Sequence, residues 1–360
     1  MVLILQFISR FPANFKFREP AFFMADETYT GSGEFELIQT MQRLWSVGNI
    51  AGDMGDDAAV IPQQVKHHLV VTTDMLIEGR HFKPEWSSWE DIGYKSIAVN
   101  LSDIAAMGAR PRHVFLSFGL TDISCSRDPF IKLIKGIRQA CEDFSCTIDG
   151  GDTTRSGNDT VISVMLTGEA KPEHLKYRGS AQNGDIIAVT GTLGDAAAAL
   201  KLLDQHDPEA HNFAELCSRH HRPCPRVNEG MWLGGRPEIN AMMDLSDGLA
   251  GDIRHIANKS QCGAEIFLNQ LPLSKQLTEL CHLKGWNAPE IAAEGGDDYE
   301  LLFTVNPQKW NAFQRAAQQE LSTAVTPIGK VNDQNGEIGF FQNGRKSTAN
   351  LQGFDHFNSK

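Results

Sequence analysis

Lys95-Ser-Ile-Ala-Val-Asn-Leu-Ser-Asp-Ile-Ala-Ala-Met-Gly-Ala109 lies mostly within a longer helical pattern, 89–107. Ile92, Ile97, Leu101, Ile104 and Ala105 recur at helical spacing and define its buried side. Ser96, Asn100 and Asp103 fall at i, i+4 and i+7, which places them on one polar stripe. Around this helix the pattern alternates. Short β-type runs stand at 58–62 and 68–73 before it and at 113–119, 145–148 and 160–167 after it, with a second helix at 128–142. An amphipathic helix is also expected at 34–47, carried by Phe35, Leu37, Ile38, Met41, Leu44 and Trp45.

A polar stretch, 171–184, contains Pro172, Gly179, Asn183 and Gly184 and reads as a connector. Beyond it a strand at 185–190, the turn Gly191-Thr-Leu-Gly-Asp195 and an Ala-rich helix form one unit, repeated more loosely at 242–256. Strands at 264–268, 299–305, 325–331 and 337–341 and a helix at 307–319 follow. The chain therefore reads as mixed α/β in two domains, 31–170 and 185–360, behind an extension at 1–30.

The 360 residues carry 33 Lys and Arg against 45 Asp and Glu, a net charge of −12, which argues against nucleic acid or an anionic membrane as partner. The seven cysteines form no Cys-x-x-Cys pair and no disulfide framework, which fits a reducing cytoplasm. The first residues are Phe-rich but lack the pattern of a secretory signal, and Arg10, Lys16, Arg18 and Glu19 interrupt any membrane-length run. The expectation is that the natural product starts at Met24 and that the extension is disordered or absent from it.

Six acidic clusters span the chain: Gly-Asp-Met-Gly-Asp-Asp at 52–57, Thr-Thr-Asp at 72–74, Asn-Leu-Ser-Asp at 100–103, Asp-Gly-Gly-Asp at 149–152, Asp-Leu-Ser-Asp at 244–247 and Gly-Gly-Asp-Asp at 295–298. One such cluster is ordinarily a turn. Six, several of them at the ends of predicted strands or at a helix start, point instead to several Mg2+ ions holding phosphates, because Mg2+ takes oxygen ligands and uses one or two protein carboxylates per ion. Like charges at 4 Å repel by about 4 kcal/mol at an effective dielectric near 20, so the ions are needed before a polyphosphate can enter. Phosphoryl transfer, metal-dependent hydrolysis and simple binding all fit this chemistry. The Gly191-Thr-Leu-Gly194 turn lacks the P-loop Lys and reads as a tight structural turn. His220, His221 and Cys224 match no standard zinc spacing and read as a solvated helix end stopped by Pro223 and Pro225.

Taken together, Gly55-Asp-Asp-Ala-Ala-Val60, Thr72-Thr-Asp-Met-Leu-Ile-Glu-Gly-Arg-His-Phe82 and the helix at 95–109 resemble the thiamine-monophosphate kinase family. Gly150-Gly-Asp-Thr-Thr154, Val189-Thr-Gly-Thr-Leu-Gly-Asp195, Asp244-Leu-Ser-Asp-Gly-Leu249, Gly295-Gly-Asp-Asp-Tyr-Glu-Leu301 and Gly353-Phe-Asp-His-Phe357 extend the likeness over roughly 33–357. The resemblance implies a two-domain fold like that of aminoimidazole ribonucleotide synthetase. In that fold the N-terminal domain pairs with its copy in a homodimer to build a barrel-like sheet, and a C-terminal α/β domain closes over ATP.

The same resemblance implies ATP-dependent phosphorylation of thiamine monophosphate to thiamine diphosphate, the last step in making that cofactor, with Mg2+ as cofactor. Position by position, Asp57, Thr73, Asp74, Asp103, Asp152, Asp244 and Asp247 correspond to magnesium ligands. Gly151, Asp152, Arg178 and Ser246 correspond to nucleotide contacts, and His81, Asp297 and Phe354 to the thiamine side. Asp103 and Arg178 are the expected catalytic pair. The family leads one to expect Glu where Asp297 stands, so this chain offers a shorter arm there. Phe354 stands where the family varies among aromatics, which keeps stacking and removes a hydroxyl.

Overall fold

The computed structural model of the chain describes residues 57–61 and 66–354. The N-terminal extension, the helix expected at 34–47 and all of the first acidic cluster except Asp57 lie outside the described residues, as do residues 355–357 of the last motif.

The first unit comprises β1 (Ala59–Ile61), β2 (His68–Ile77), α1 (Trp89–Ala106), β3 (Arg110–Leu120), α2 (Arg127–Asp143), β4 (Thr147–Arg155) and β5 (Val161–Ala170). Its sheet runs β1-β2-β5-β3-β4, antiparallel except for the β3/β4 pair. Ser88 caps α1, its Oγ accepting from the Asp91 N–H at 3.1 Å. α1 and α2 touch through glycines: a Cβ on Gly93 would lie 2.0 Å from the Leu133 carbonyl oxygen, and one on Gly136 1.8 Å from that of Glu90.

Two acidic motifs expected where a strand gives way to a loop lie inside strands. Thr72–Asp74 falls within β2, paired with β5 along its whole length, and Asp149–Asp152 falls within β4, where the ladder with β3 outweighs a weak strand propensity. Strand alternation then separates neighbours: Thr72 is buried and Thr73 is exposed on the opposite face.

The second unit begins with β6 (Ile186–Thr190), α3 (Asp195–Asp204), α4 (Ala214–His221), α5 (Val227–Gly234), β7 (Ile239–Asp244) and α6 (Leu249–Ser260). It continues with β8 (Gly263–Phe267), α7 (Lys275–Lys284), α8 (Ala288–Glu294), β9 (Leu301–Val305), α9 (Trp310–Glu320), β10 (Val325–Asn332), β11 (Ile338–Gln342) and β12 (Arg345–Lys346). The sheet runs β12-β11-β8-β10-β6-β9-β7, with only β8 and β11 parallel. α5, α7 and α8 were not expected from the sequence, and of α4 only its end, before Pro223, was. Each is too short to show a clear period.

The segment between the sheets is packed rather than a solvated spacer. Leu175 is buried, and Lys176 Nζ donates to the carbonyls of Arg236 and Ile239 at 2.8 and 3.1 Å. One buried cluster joins Ile97, Leu101 and Leu116 to Met242, Leu301 and Phe303, so the two units share a core. α1 sits within that contact, which explains why its polar stripe does not face water. Ser96 and Asn100 are fully buried and donate to Gly93 O at 2.8 Å and Ser96 O at 3.1 Å. Among the described residues no helix is long and apolar enough to cross a membrane.

Candidate active site

A cavity of about 710 Å3 opens between the two units. Lys95, Val99 and Asp103 of α1 line it at i, i+4 and i+8, one face of the helix. At 1.5 Å per residue that face covers about 12 Å. Asp103 stands at an acidic end and Lys95 at a mixed polar and aromatic end.

At the acidic end β1, β2, α1 and β7 converge. One carboxylate oxygen each of Asp57, Asp103 and Asp244 lies within 4.8 Å of the other two. Thr72 Oγ1 donates to Asp103 Oδ2 at 2.5 Å, and Ser102 Oγ donates to Asp244 Oδ2 at 2.6 Å. Arg178 clamps Asp57 from below, Nε to Oδ2 at 2.9 Å and Nη2 to Oδ1 at 2.8 Å. Burial pushes the Asp57 carboxyl up, but the charge and hydrogen bonds of Arg178 outweigh burial and hold it below the usual range. The remaining carboxyls move the other way. Burial, then the Asp57 charge, lifts Asp74 to about 6; burial, then neighbouring carboxylates, lifts Asp103, Asp244 and Asp252 well above the ordinary value. An all-oxygen donor set that otherwise must hold protons fits a hard divalent cation such as Mg2+. The Asp247 N–H donates to Asp252 Oδ2 at 3.2 Å, which ties the first turn of α6 to the Asp244–Asp247 loop.

That loop also holds the opposite end. The Asp297 N–H donates to Ser246 O and the Tyr299 N–H to Leu245 O, both at 2.8 Å, and the Phe354 N–H donates to Asp247 O at 2.9 Å. Asp297 and Tyr299 adopt φ of +66° and +49°, a region non-glycine residues seldom occupy and one that clusters at functional sites. Lys95 Nζ lies 2.7 Å from Asp297 Oδ2, and the Tyr299 hydroxyl donates to Oδ1 at 3.0 Å. His220 Nδ1 stands 3.4 Å from Oδ2. Burial pushes Asp297 up, and Lys95, then His220, more than reverse it, so it stays ionised. His81 Nδ1 accepts from the Ile77 N–H at 3.0 Å, which leaves Nε2 as the ring's proton-bearing nitrogen. Phe354 is 47% exposed at the cavity rim. It is brought there by Gly353, where a Cβ would meet Gly251 Cα at 2.6 Å.

Asp57, Asp74, Asp103, Asp244, Ser246, Asp247, His81, Asp297 and Phe354 are thus gathered along or beneath one cavity, with Arg178 bound to Asp57. Three placements differ from the picture drawn from the sequence. Thr73 turns its side chain to the far face of β2, and Thr72 is the threonine that touches the acidic cluster. Gly151 and Asp152 lie on β4, an edge strand exposed throughout, separated from β2 by β5 and β3 and so by roughly 14 Å at the usual strand spacing. A Cβ on Gly151 would meet Leu116 O at 1.8 Å, so that glycine is required by the ladder itself. His220 is not part of a solvated helix end: it is 4% exposed and lines the cavity.

The Gly191–Gly194 turn is structural, as its composition suggested, with the Gly194 N–H donating to both oxygens of Asp298 at 2.9 and 3.0 Å. Lys95, His220, Tyr299, Thr72 and Ser102 were missed. Each draws its meaning from a partner distant in sequence, and only the place of Lys95 four and eight residues before Val99 and Asp103 was a readable signal.

Residues 55–170 match the family model for AIR synthase related protein, N-terminal domain, and residues 182–341 that for the C-terminal domain. The thiamine-monophosphate kinase of Haemophilus influenzae is 36% identical over 334 residues, covering 90% of this chain and 98% of that one. The chain belongs to the thiamine-monophosphate kinase family. Its fold is that of solved members of this family. AaThiL complexed with AMPPCP and TMP aligns with a TM-score of 0.77 at 34% identity, over 90% of this chain and 97% of that one. The thiamine-monophosphate kinase of Stenotrophomonas maltophilia aligns with a TM-score of 0.71 at 36% identity, over 87% and 96%.

Proposed function

We propose that this chain transfers the γ-phosphoryl group of ATP to thiamine monophosphate, giving thiamine diphosphate and ADP. One observation carries the reading: a single cavity joins an oxygen-only acidic cluster to an aromatic and carboxylate end along one face of α1. A substrate with a phosphate at one end and an aromatic ring at the other fits that polarity. Family membership and the relatives' names support the same assignment.

Asp57, Asp103 and Asp244 would hold Mg2+, together with Asp74 and Asp247, which line the same cavity. When bound, Mg2+ neutralises phosphate charge and aligns attacking and leaving oxygens. Thr72 and Ser102 fix the Asp103 and Asp244 carboxylates by donating to them, so their remaining lone pairs point in set directions. Arg178 supplies the compensating positive charge, and its hold on Asp57 must loosen for it to meet a nucleotide phosphate. His81, Asp297 and Phe354 hold the thiamine moiety, with Phe354 as the stacking face. The attacking phosphate monoester has a second pKa near 6 and is already ionised at neutral pH. No general base is required, which suits a phosphate-binding end built of Asp.

We infer that the second copy implied by the family resemblance docks on one face of the first sheet. The sheet face opposite α1 and α2 exposes Met75 and Met165, at 52% and 38%, and the open edge strand β4 exposes Ile148 at 44%. A homodimer closed through this face would cover them, and would give Gly151 and Asp152 a ligand site that their own chain's cavity does not offer. All seven cysteines are free, in keeping with a cytoplasmic setting.

The test is incubation with Mg2+, ATP and thiamine monophosphate, with free thiamine as control, and separation of the products. Thiamine diphosphate formed one for one with ADP, only from the monophosphate, supports the proposal. Free phosphate without diphosphate points to a hydrolase, and no turnover to a binding protein.

A further inference from the structure

Three groups at the Asp297 end have no part in phosphoryl transfer. Lys95 is 5% exposed and comes from the first unit, while Asp297, Tyr299 and His220 come from the second. A buried ion pair across such a boundary is weak support for stability, since well-packed apolar side chains serve as well or better. The two positive-φ residues are a further cost. What the arrangement does achieve is a fixed carboxylate. An ionised carboxylate has about four acceptor positions and no donor. Lys95 occupies Oδ2, with His220 facing the same oxygen, and Tyr299 occupies one position on Oδ1, so spare acceptor capacity remains on Oδ1 in a side chain that lines the cavity.

We propose that Lys95, with Tyr299 and His220, is a positioning residue that locks the Asp297 carboxylate so that Oδ1 accepts from the exocyclic amine of the substrate's aminopyrimidine ring. This rests on the thiamine monophosphate reading above. It makes this end of the cavity the determinant of amine recognition, and it explains how the short arm of Asp holds a fixed place. The amine is the one N–H donor that the pyrimidine ring of thiamine carries, so an acceptor-only group is the complementary partner. A site built to bond an N–H strongly rejects an analogue lacking it, because the buried acceptor is then left unpaired.

The experiment compares kcat/KM for thiamine monophosphate and for its 4-oxo analogue, oxythiamine monophosphate, in the wild type, Lys95→Met and Tyr299→Phe. The wild type should prefer the amine by at least about tenfold. Lys95→Met should shrink that preference to within about threefold and raise KM for thiamine monophosphate about tenfold, with KM for ATP changed less than about twofold. Tyr299→Phe, which keeps the ring packing, should shift both quantities the same way by a smaller factor. It carries the test alone if Lys95→Met does not fold. Adding Asp297→Asn to Lys95→Met should cost little more, since the two act as one unit.

An amine preference unchanged in both single variants, or kcat and both KM values moving in step, overturns the assignment while leaving the kinase reading intact. A wild type that makes no thiamine diphosphate overturns both.

Discussion

Magnesium should stabilise this protein more strongly as the pH rises, and the acidic end of the cavity sets the size of the effect. Asp74, lifted to about 6, goes from about one-tenth to about nine-tenths ionised between pH 5 and pH 7. A cation that binds only the ionised form gains about tenfold in affinity over that interval, or about 1.4 kcal/mol of stabilisation at saturating concentration. At about 2–4 °C per kcal/mol this is a rise of roughly 3–6 °C in the magnesium-dependent shift of Tm. Asp103 and Asp244, lifted further, extend the trend to higher pH.

For the metal-free protein the same carboxyls act with the opposite sign. A carboxyl whose pKa is raised on folding contributes stability that is full below its unfolded value and lost as pH rises through about 6. His221 and His255, held down to about 4 mainly by burial, act oppositely, costing stability as pH falls below their unfolded value. Absolute Tm therefore mixes both effects, and the difference between Mg2+ and chelator isolates the carboxylates. Differential scanning fluorimetry at pH 5, 6, 7 and 8, with each additive in turn, measures it. A difference independent of pH, or one that shrinks as pH rises, refutes the placement of the ions on these carboxyls.

Asp103→Asn keeps the shape and removes the charge, and should lower turnover at limiting Mg2+ by at least about tenfold, or about 1.4 kcal/mol of barrier; near-normal turnover excludes it as a ligand. Gly353→Ala places a Cβ 2.6 Å from Gly251 Cα and should displace Phe354, raising KM for thiamine monophosphate about tenfold or more with little change for ATP in steady-state kinetics. Met165→Glu puts a charge on the exposed sheet face and should convert a dimer to a monomer by light scattering; a variant that keeps the wild-type mass refutes that face as the interface.

The strands and long helices were legible because their apolar periods are clean: α1 and α2 and most strands fall within a few residues of the patterned runs, apart from β4, which runs well past its predicted end. The carboxylates at 57, 74, 103, 244 and 297 were legible because they sit in clusters whose density exceeds the needs of turns. The supporting shell was not. The burial of Lys95 follows only from the enclosure of α1 by both units, and His220 reads as solvated until α4 is seen to bring it to Asp297. Gly295-Gly-Asp-Asp-Tyr-Glu300 shows the limit most directly. Asp297 and Tyr299 face the cavity, while Asp298 caps the Gly194 turn and Glu300 is forked by Arg226 with Nε 2.6 Å from Oε2. Sequence alone does not separate these roles, because all four side chains are polar and only the strand entry at β9 fixes which way each points.

The most direct measurement follows the label from [γ-32P]ATP in the presence of Mg2+ and thiamine monophosphate. The account predicts that label appears in the terminal phosphate of thiamine diphosphate, one for each ADP formed, and that none is released as inorganic phosphate. Label recovered as inorganic phosphate, or no transfer at saturating substrates, contradicts it.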